Sequence, residues 1–88
     1  MNVNYERSFL RDLEKVKNRK LLFRLSVIIE MVKSAGSLND LNHVKKIKGH
    51  PHAFRIRLDD FRIGFFLEKD TVIFTRFLNR KDLYRHFP

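Results

Sequence analysis

Residues 54–67 read FRIRLDDFRIGFFL, and the order of these side chains decides the fold. Phe54, Ile56 and Leu58 alternate with Arg55 and Arg57; past Asp59-Asp60, Phe61, Ile63, Phe65 and Leu67 alternate with Arg62, Gly64 and Phe66. A period of two places successive side chains on opposite faces of a strand, so the segment predicts two strands joined by a two-residue turn. That turn sets Leu58 against Phe61, Arg57 against Arg62, Ile56 against Ile63, Arg55 against Gly64 and Phe54 against Phe65. One face of the hairpin is apolar; the other carries Arg55, Arg57 and Arg62. Like charges opposed across a ladder cost a few tenths to about 1 kcal/mol, so folding does not account for this arrangement. A bound anion does, because guanidinium forks donate paired hydrogen bonds to phosphate oxygens. Gly64 is expected to leave space beside the arginines for a ligand backbone. The competing reading is a solvated face, with the arginines stacked on Phe66 or paired with Glu68 and Asp82.

Downstream, Lys69-Asp70 predicts a turn, and Thr71–Leu78 is rich in β-branched and aromatic residues, extending the hairpin into an antiparallel meander. Asn79 suits a helix N-cap, with Asp82 as the acid of a capping box, for a short helix through Phe87. Upstream, Phe9, Leu10, Leu13 and Val16 recur at helical spacing between Glu6 and Lys17, with Arg11, Glu14 and Lys15 facing away. After a break near Asn18, Leu21, Leu22, Leu25, Ile28, Ile29 and Val32 repeat that spacing up to Ala35-Gly36, where glycine supplies a stop. The fold class predicted is α+β: an αα-hairpin packed on an antiparallel sheet of about four strands, residues 1–5 as a candidate edge strand, and a short C-terminal helix.

The chain has 88 residues, and 1–88 is read as a single domain with one core. Nine phenylalanines and 43% hydrophobic residues describe a packed globule, and the lack of cysteine excludes disulfides and thiolate metal sites. No apolar run is long enough to cross a bilayer, and the polar start MNVNYERS lacks a signal peptide's apolar segment, so a cytoplasmic location is expected. Nineteen Lys and Arg against ten Asp and Glu give +9. Residues 1–42 carry eight basic and five acidic side chains, residues 43–88 eleven and five, so a polyanion is expected to dock on the second half. Lys45, Lys46 and Lys48 adjoin the arginine face and fit phosphate contact, or else a solvated strand edge that resists aggregation. His43, His50, His52 and His86 show no metal-ligand spacing, and neither metal nor cofactor is expected. Phe54, Phe61, Phe65 and Phe74 at strand spacing read as core and not as platforms for stacked bases.

The segment LNHVKKIKGHPHAFRIRLDDFRIGFFLEKDTVIFTRFLNRKDLYRHF, residues 41–87, resembles the RelE/ParE toxin superfamily, in which a KxxG turn precedes a YRIRxxxYRIxY-type strand pair and a last strand ends in an (H)RxxxY-type element. The helical hairpin ahead of it also matches. The resemblance implies the toxin of a type II toxin–antitoxin pair, neutralised by a partner antitoxin that covers the basic face. Members of the RelE branch cut messenger RNA on the ribosome, and members of the ParE branch poison DNA gyrase without cutting RNA. Arg55 and Arg57 match the basic positions of the RIR strand, Arg62 the arginine after the turn, and Arg80 or Lys81 the basic position near the last helix. Asn79 stands where many relatives have His, and Phe54 and Phe61 where many have Tyr.

The RelE-like activity implied is a metal-independent messenger RNA endonuclease, in which a 2′-hydroxyl attacks its neighbouring phosphate. Arginines stabilise the charge that develops but are poor proton carriers at neutral pH, so proton transfer falls to Tyr84, Lys48, Lys81 or a histidine. In this reading Arg57, Arg62 and Arg80 clamp the phosphate, Arg55 positions the RNA, and Tyr84 or Lys81 moves protons. A ParE-like gyrase inhibitor, or an inactive relative that binds only RNA or an antitoxin, stays open. Tyr84 also admits a packing role beside Leu83 and Phe87.

Overall fold

The computed structural model describes residues 1–88. In chain order the elements are β1 (Asn2–Tyr5), α1 (Arg7–Glu14), α2 (Arg19–Ser34), a 3-10 turn (Leu38–Asp40), β2 (Val44–Lys46), β3 (Ala53–Leu58), β4 (Phe61–Glu68), β5 (Thr71–Asn79) and α3 (Arg80–His86). The class is α+β, as the two periodicities predict. The sheet runs β1-β5-β4-β3-β2. The β3–β4 register is the expected one at every pair, from Phe54 with Phe65 to Leu58 with Phe61, and Asp59 takes the left-handed conformation (φ 53°) that a tight hairpin turn requires.

The sheet is mixed and not purely antiparallel: β1 lies parallel to β5, Asn2 opposite Thr71 and Tyr5 opposite Phe74. Adjacent parallel strands need a crossover connection, and here that path includes the helical hairpin. Alternation within four residues cannot reveal which strand they join, or in which direction.

The helical hairpin covers the apolar face. Phe9, Leu21, Leu25 and Val32 from the helices enclose one core with Ile56, Leu58, Ile63, Phe65, Val72, Phe74 and Phe77. The break falls near Asn18 as expected, and there Asn18 caps α2, its Oδ1 accepting from Leu21 N at 3.1 Å. At the other end the expected glycine stop is not what ends the helix. Ala35 turns extended (φ −72°, ψ 144°), and Gly36 instead donates its N–H to Asp40 Oδ2 at 2.9 Å.

Helix α1 corrects a second expectation. Leu10, assigned to the buried stripe, is 48% exposed, whereas Asp12 is buried. The cause lies in β5, where a bulge lets Gly64 pair with Arg76 and Phe65 with Phe74, leaving Thr75 extra. Helix α1 satisfies the groups the bulge orphans: Ser8 Oγ donates to Thr75 O at 2.6 Å, and the Asp12 carboxylate accepts from Phe77 N at 2.9 Å. Asp12 also receives Arg76 Nε at 2.8 Å and Nη2 at 3.1 Å, a bidentate pair that raises the Arg76 guanidinium's affinity for its proton.

Helix α3 packs on the opposite side of the sheet, where Leu83 and Phe87 close a second, smaller core with Ile47 and Ala53. Its cap is Asn79, whose Oδ1 accepts from Lys81 N at 3.0 Å, and no reciprocal bond from Asp82 completes a capping box. The arginine face therefore shares its side of the sheet with a helix. No helix of the chain is long and apolar enough to cross a membrane.

Candidate nucleic-acid interface

Two cross-strand rows carry the charge on the α3 side of the sheet. Lys45 of β2, Arg55 of β3 and Gly64 of β4 are neighbours in one row, and Arg57 and Arg62 face each other in the next. Both rows thus set like charges side by side, which costs stability without a counterion. No carboxylate supplies one. The ion pairs are Arg24 with Asp59, Lys33 with Glu30 and Arg76 with Asp12, so Glu68 and Asp82 leave Arg55, Arg57, Arg62 and Arg80 unpaired.

The arginines differ in access. Arg57 and Arg80 are exposed and Arg55 is half-buried, whereas Arg62 is only 8% exposed. Arg62 Nη1 donates to Asp59 O at 2.8 Å and to Phe61 O at 2.9 Å, which fastens the guanidinium to its own hairpin turn. Burial, and then the charge of Arg55, hold its pKa below the ordinary value; Tyr84 acts in the opposite sense, and Arg80 and Arg57 add to the depression. The β3–β4 register and the bond from Arg80 N to Asp60 O set Arg55, Arg57, Arg62 and Arg80 along one stretch of the sheet, and Tyr84 of α3 shares a groove with Arg55.

Helix α3 is placed by both of its ends. Arg80 N donates to Asp60 O at 2.7 Å, tying the start of the helix to the β3–β4 turn. At the far end Phe87 lies against Gly64, where an added Cβ would stand 2.8 Å from Phe87 Cδ2 and 3.1 Å from Leu83 Cδ1. This overturns the expectation that Gly64 leaves room for a ligand: the space opposite Arg55 belongs to α3. Leu83 and Phe87 take the packing role that the sequence also allowed for Tyr84. Tyr84 itself is 56% exposed and lines a groove of about 350 Å³ with Lys45, Lys46, Ile47, Lys48 and Arg55. Arg55 Nε is enclosed there without a hydrogen-bond partner. The exposed side chain of Lys81 makes no hydrogen bond, and only its backbone N–H is used, by Asn79. Phe65 and Phe74 are fully buried, and Phe54 and Phe61 pack against the main core, as the strand spacing indicates.

The sequence reading missed His43. It adopts a left-handed backbone (φ 64°) just ahead of β2, and its carbonyl accepts from Arg57 N at 3.1 Å and from Arg55 Nη1 at 2.9 Å. Its ring Nδ1 lies 3.1 Å from Arg57 Nη2. Nothing in the sequence marked it, because the pairing of Val44 with Ile56, one step from which His43 meets Arg57, is visible only in the fold.

The chain thus sets a helical hairpin on one face of a five-stranded sheet, and unpaired arginines with a short helix on the other. The YoeB dimer structure from Staphylococcus aureus shares this fold with a TM-score of 0.73 at 11% identity, over 91% of this chain and 97% of that one. Nearer in sequence is Toxin RelE3 of Methanocaldococcus jannaschii, 42% identical over 89 residues and the full length of both chains. The toxin–antitoxin complex RelB–RelE from Methanococcus jannaschii matches with a TM-score of 0.82 and 38% identity, covering 97% of this chain and 99% of that one. No protein-family model matches the chain. At that level of identity over its whole length, this chain belongs to the RelE family of toxins.

Proposed function

We propose that this chain, acting as one domain over residues 1–88, is a metal-independent, ribosome-dependent messenger RNA endonuclease that blocks translation. The observation that carries this reading is the cluster of Arg55, Arg57, Arg62 and Arg80 around one stretch of sheet, unpaired by any carboxylate and flanked by Tyr84. A phosphodiester undergoing attack by its own 2′-hydroxyl gains negative charge, and preorganised cations lower the barrier without reorganising. Arg57 and Arg80, both exposed, meet the phosphate, and Arg62 adds its charge from beneath them. Arg55 orients the backbone along the groove that Lys45, Lys46 and Lys48 line. Tyr84, whose ring opens onto that groove, is favoured for proton transfer, with Lys81 second because it does not line the groove.

The solved RelB–RelE pair supports a cognate antitoxin as the physiological partner, and a chain of +9 that leaves its arginines unpaired favours one acidic enough to cover them. Translating ribosomes put the site of action in the cytoplasm. The test is to express the chain alone and map messenger RNA ends. Cuts inside translated codons, lost in Arg57→Ala, support the nuclease. Intact messages with a DNA-damage response indicate a gyrase poison, and intact messages with neither growth arrest nor damage indicate an inactive binding relative.

A further inference from the structure

We propose that His43 is a positioning residue of the arginine site, holding Arg55 and Arg57 ready for a phosphate; the inference rests on the RNA reading above. An arginine side chain is long and flexible, and two of them at neighbouring sheet positions repel each other. Left free, they would spread into solvent and have to be ordered at the moment of binding. What restrains them must be an acceptor, because a guanidinium has only donors. No carboxylate lies within ion-pair distance of Arg55 or Arg57, and His43 supplies the acceptors instead. Its carbonyl takes Arg55 Nη1 at 2.9 Å and the backbone N–H of Arg57 at 3.1 Å, and its ring Nδ1 takes Arg57 Nη2 at 3.1 Å. The left-handed backbone aims both acceptors at β3, a conformation that histidine and asparagine adopt more readily than most residues.

The same geometry argues against His43 as the missing proton carrier. Arg57 can only donate, so for the contact to be a hydrogen bond Nδ1 must hold its lone pair toward Arg57, which leaves the ring hydrogen on Nε2. In that tautomer one ring nitrogen is occupied and the other has no lone pair to offer. The ring therefore acts through Arg57 and not on the substrate.

Two replacements separate holding from proton transfer. His43→Asn keeps a side-chain acceptor and tolerates the left-handed backbone; His43→Gly keeps the backbone and its carbonyl but removes the ring. Both are measured beside Arg57→Ala in the full chain, by anisotropy of a single-stranded RNA oligonucleotide and by cleavage of messages on translating ribosomes. Removing the ring should weaken RNA binding about tenfold, the worth of one hydrogen bond to a charged group, and raise KM more than it lowers kcat. His43→Asn should bind and cut like the wild type. Unchanged binding in His43→Gly, or binding weakened equally in both variants, overturns the proposal, as does a His43→Asn protein that binds normally but no longer cuts. Undiminished RNA binding in Arg57→Ala defeats the RNA reading itself, a separate outcome.

Discussion

Replacing Gly64 by alanine inserts one methyl group between β4 and α3, and the structure says where it goes. The new Cβ would stand 2.8 Å from Phe87 Cδ2, 2.9 Å from Phe87 Cγ and 3.1 Å from Leu83 Cδ1, all in side chains that are themselves buried. Overpacking of this kind costs about 1–3 kcal/mol, and removing a strand glycine returns roughly 0.5–1 kcal/mol of chain entropy, for a net loss of about 1–2 kcal/mol. For a chain of this length that lowers the melting temperature by about 5–15 °C. Phe87→Ala alone should cost more, about 3 kcal/mol, because it leaves a cavity over Gly64. In that background the Gly64→Ala methyl has somewhere to go, and its cost should fall to nothing or change sign. Thermal melts of the four proteins in the cycle give the coupling directly, expected at about 1–2 kcal/mol. Additive losses, or a Gly64→Ala protein that melts with the wild type, would refute the seating of α3 on Gly64. Because the same helix carries Arg80 and Tyr84, Gly64→Ala should also reduce message cleavage at temperatures where the protein stays folded.

Removing Arg57 takes away one member of a like-charge pair and no ion pair, so Arg57→Ala should melt at or above the wild-type temperature while losing toxicity; a clear drop in melting temperature contradicts the facing-charge argument. Asp12→Asn should lower stability by about 2–3 kcal/mol in chemical denaturation, since it leaves Arg76 unpaired beside the bulge, and a loss under 0.5 kcal/mol would show that the pair contributes little. Tyr84→Phe should leave RNA affinity intact and slow cleavage about a hundredfold if its hydroxyl moves a proton; an unimpaired rate turns attention to Lys81.

The arginine rows were legible because a two-residue turn between alternating strands has only one register, and apolar pairing then fixes which face every other side chain takes. What the sequence hid depends on contacts between residues far apart in the chain. Phe87 and Gly64 are separated by the end of β4, all of β5 and helix α3, and a lone glycine in a strand reads equally as an opening or as a seat for another side chain. Asp12 looks like a surface residue until the bulge at Thr75 leaves a backbone N–H that needs it. Leu10 gives up its place on the buried stripe for the same reason. His43 carries no spacing that marks it, and its role comes from a backbone turn that puts a carbonyl and a ring nitrogen beside two arginines.

In the proposed function Arg55, Arg57, Arg62 and Arg80 together neutralise an RNA backbone. Single-stranded RNA affinity of the purified chain, measured across a salt series, tests it most directly. With Arg55, Arg57, Arg62 and Arg80 engaged, log K against log salt should fall with a slope near −3, and each arginine replaced by alanine should reduce that slope by about 0.7. A slope near zero, or one that Arg57→Ala leaves unchanged, contradicts the account.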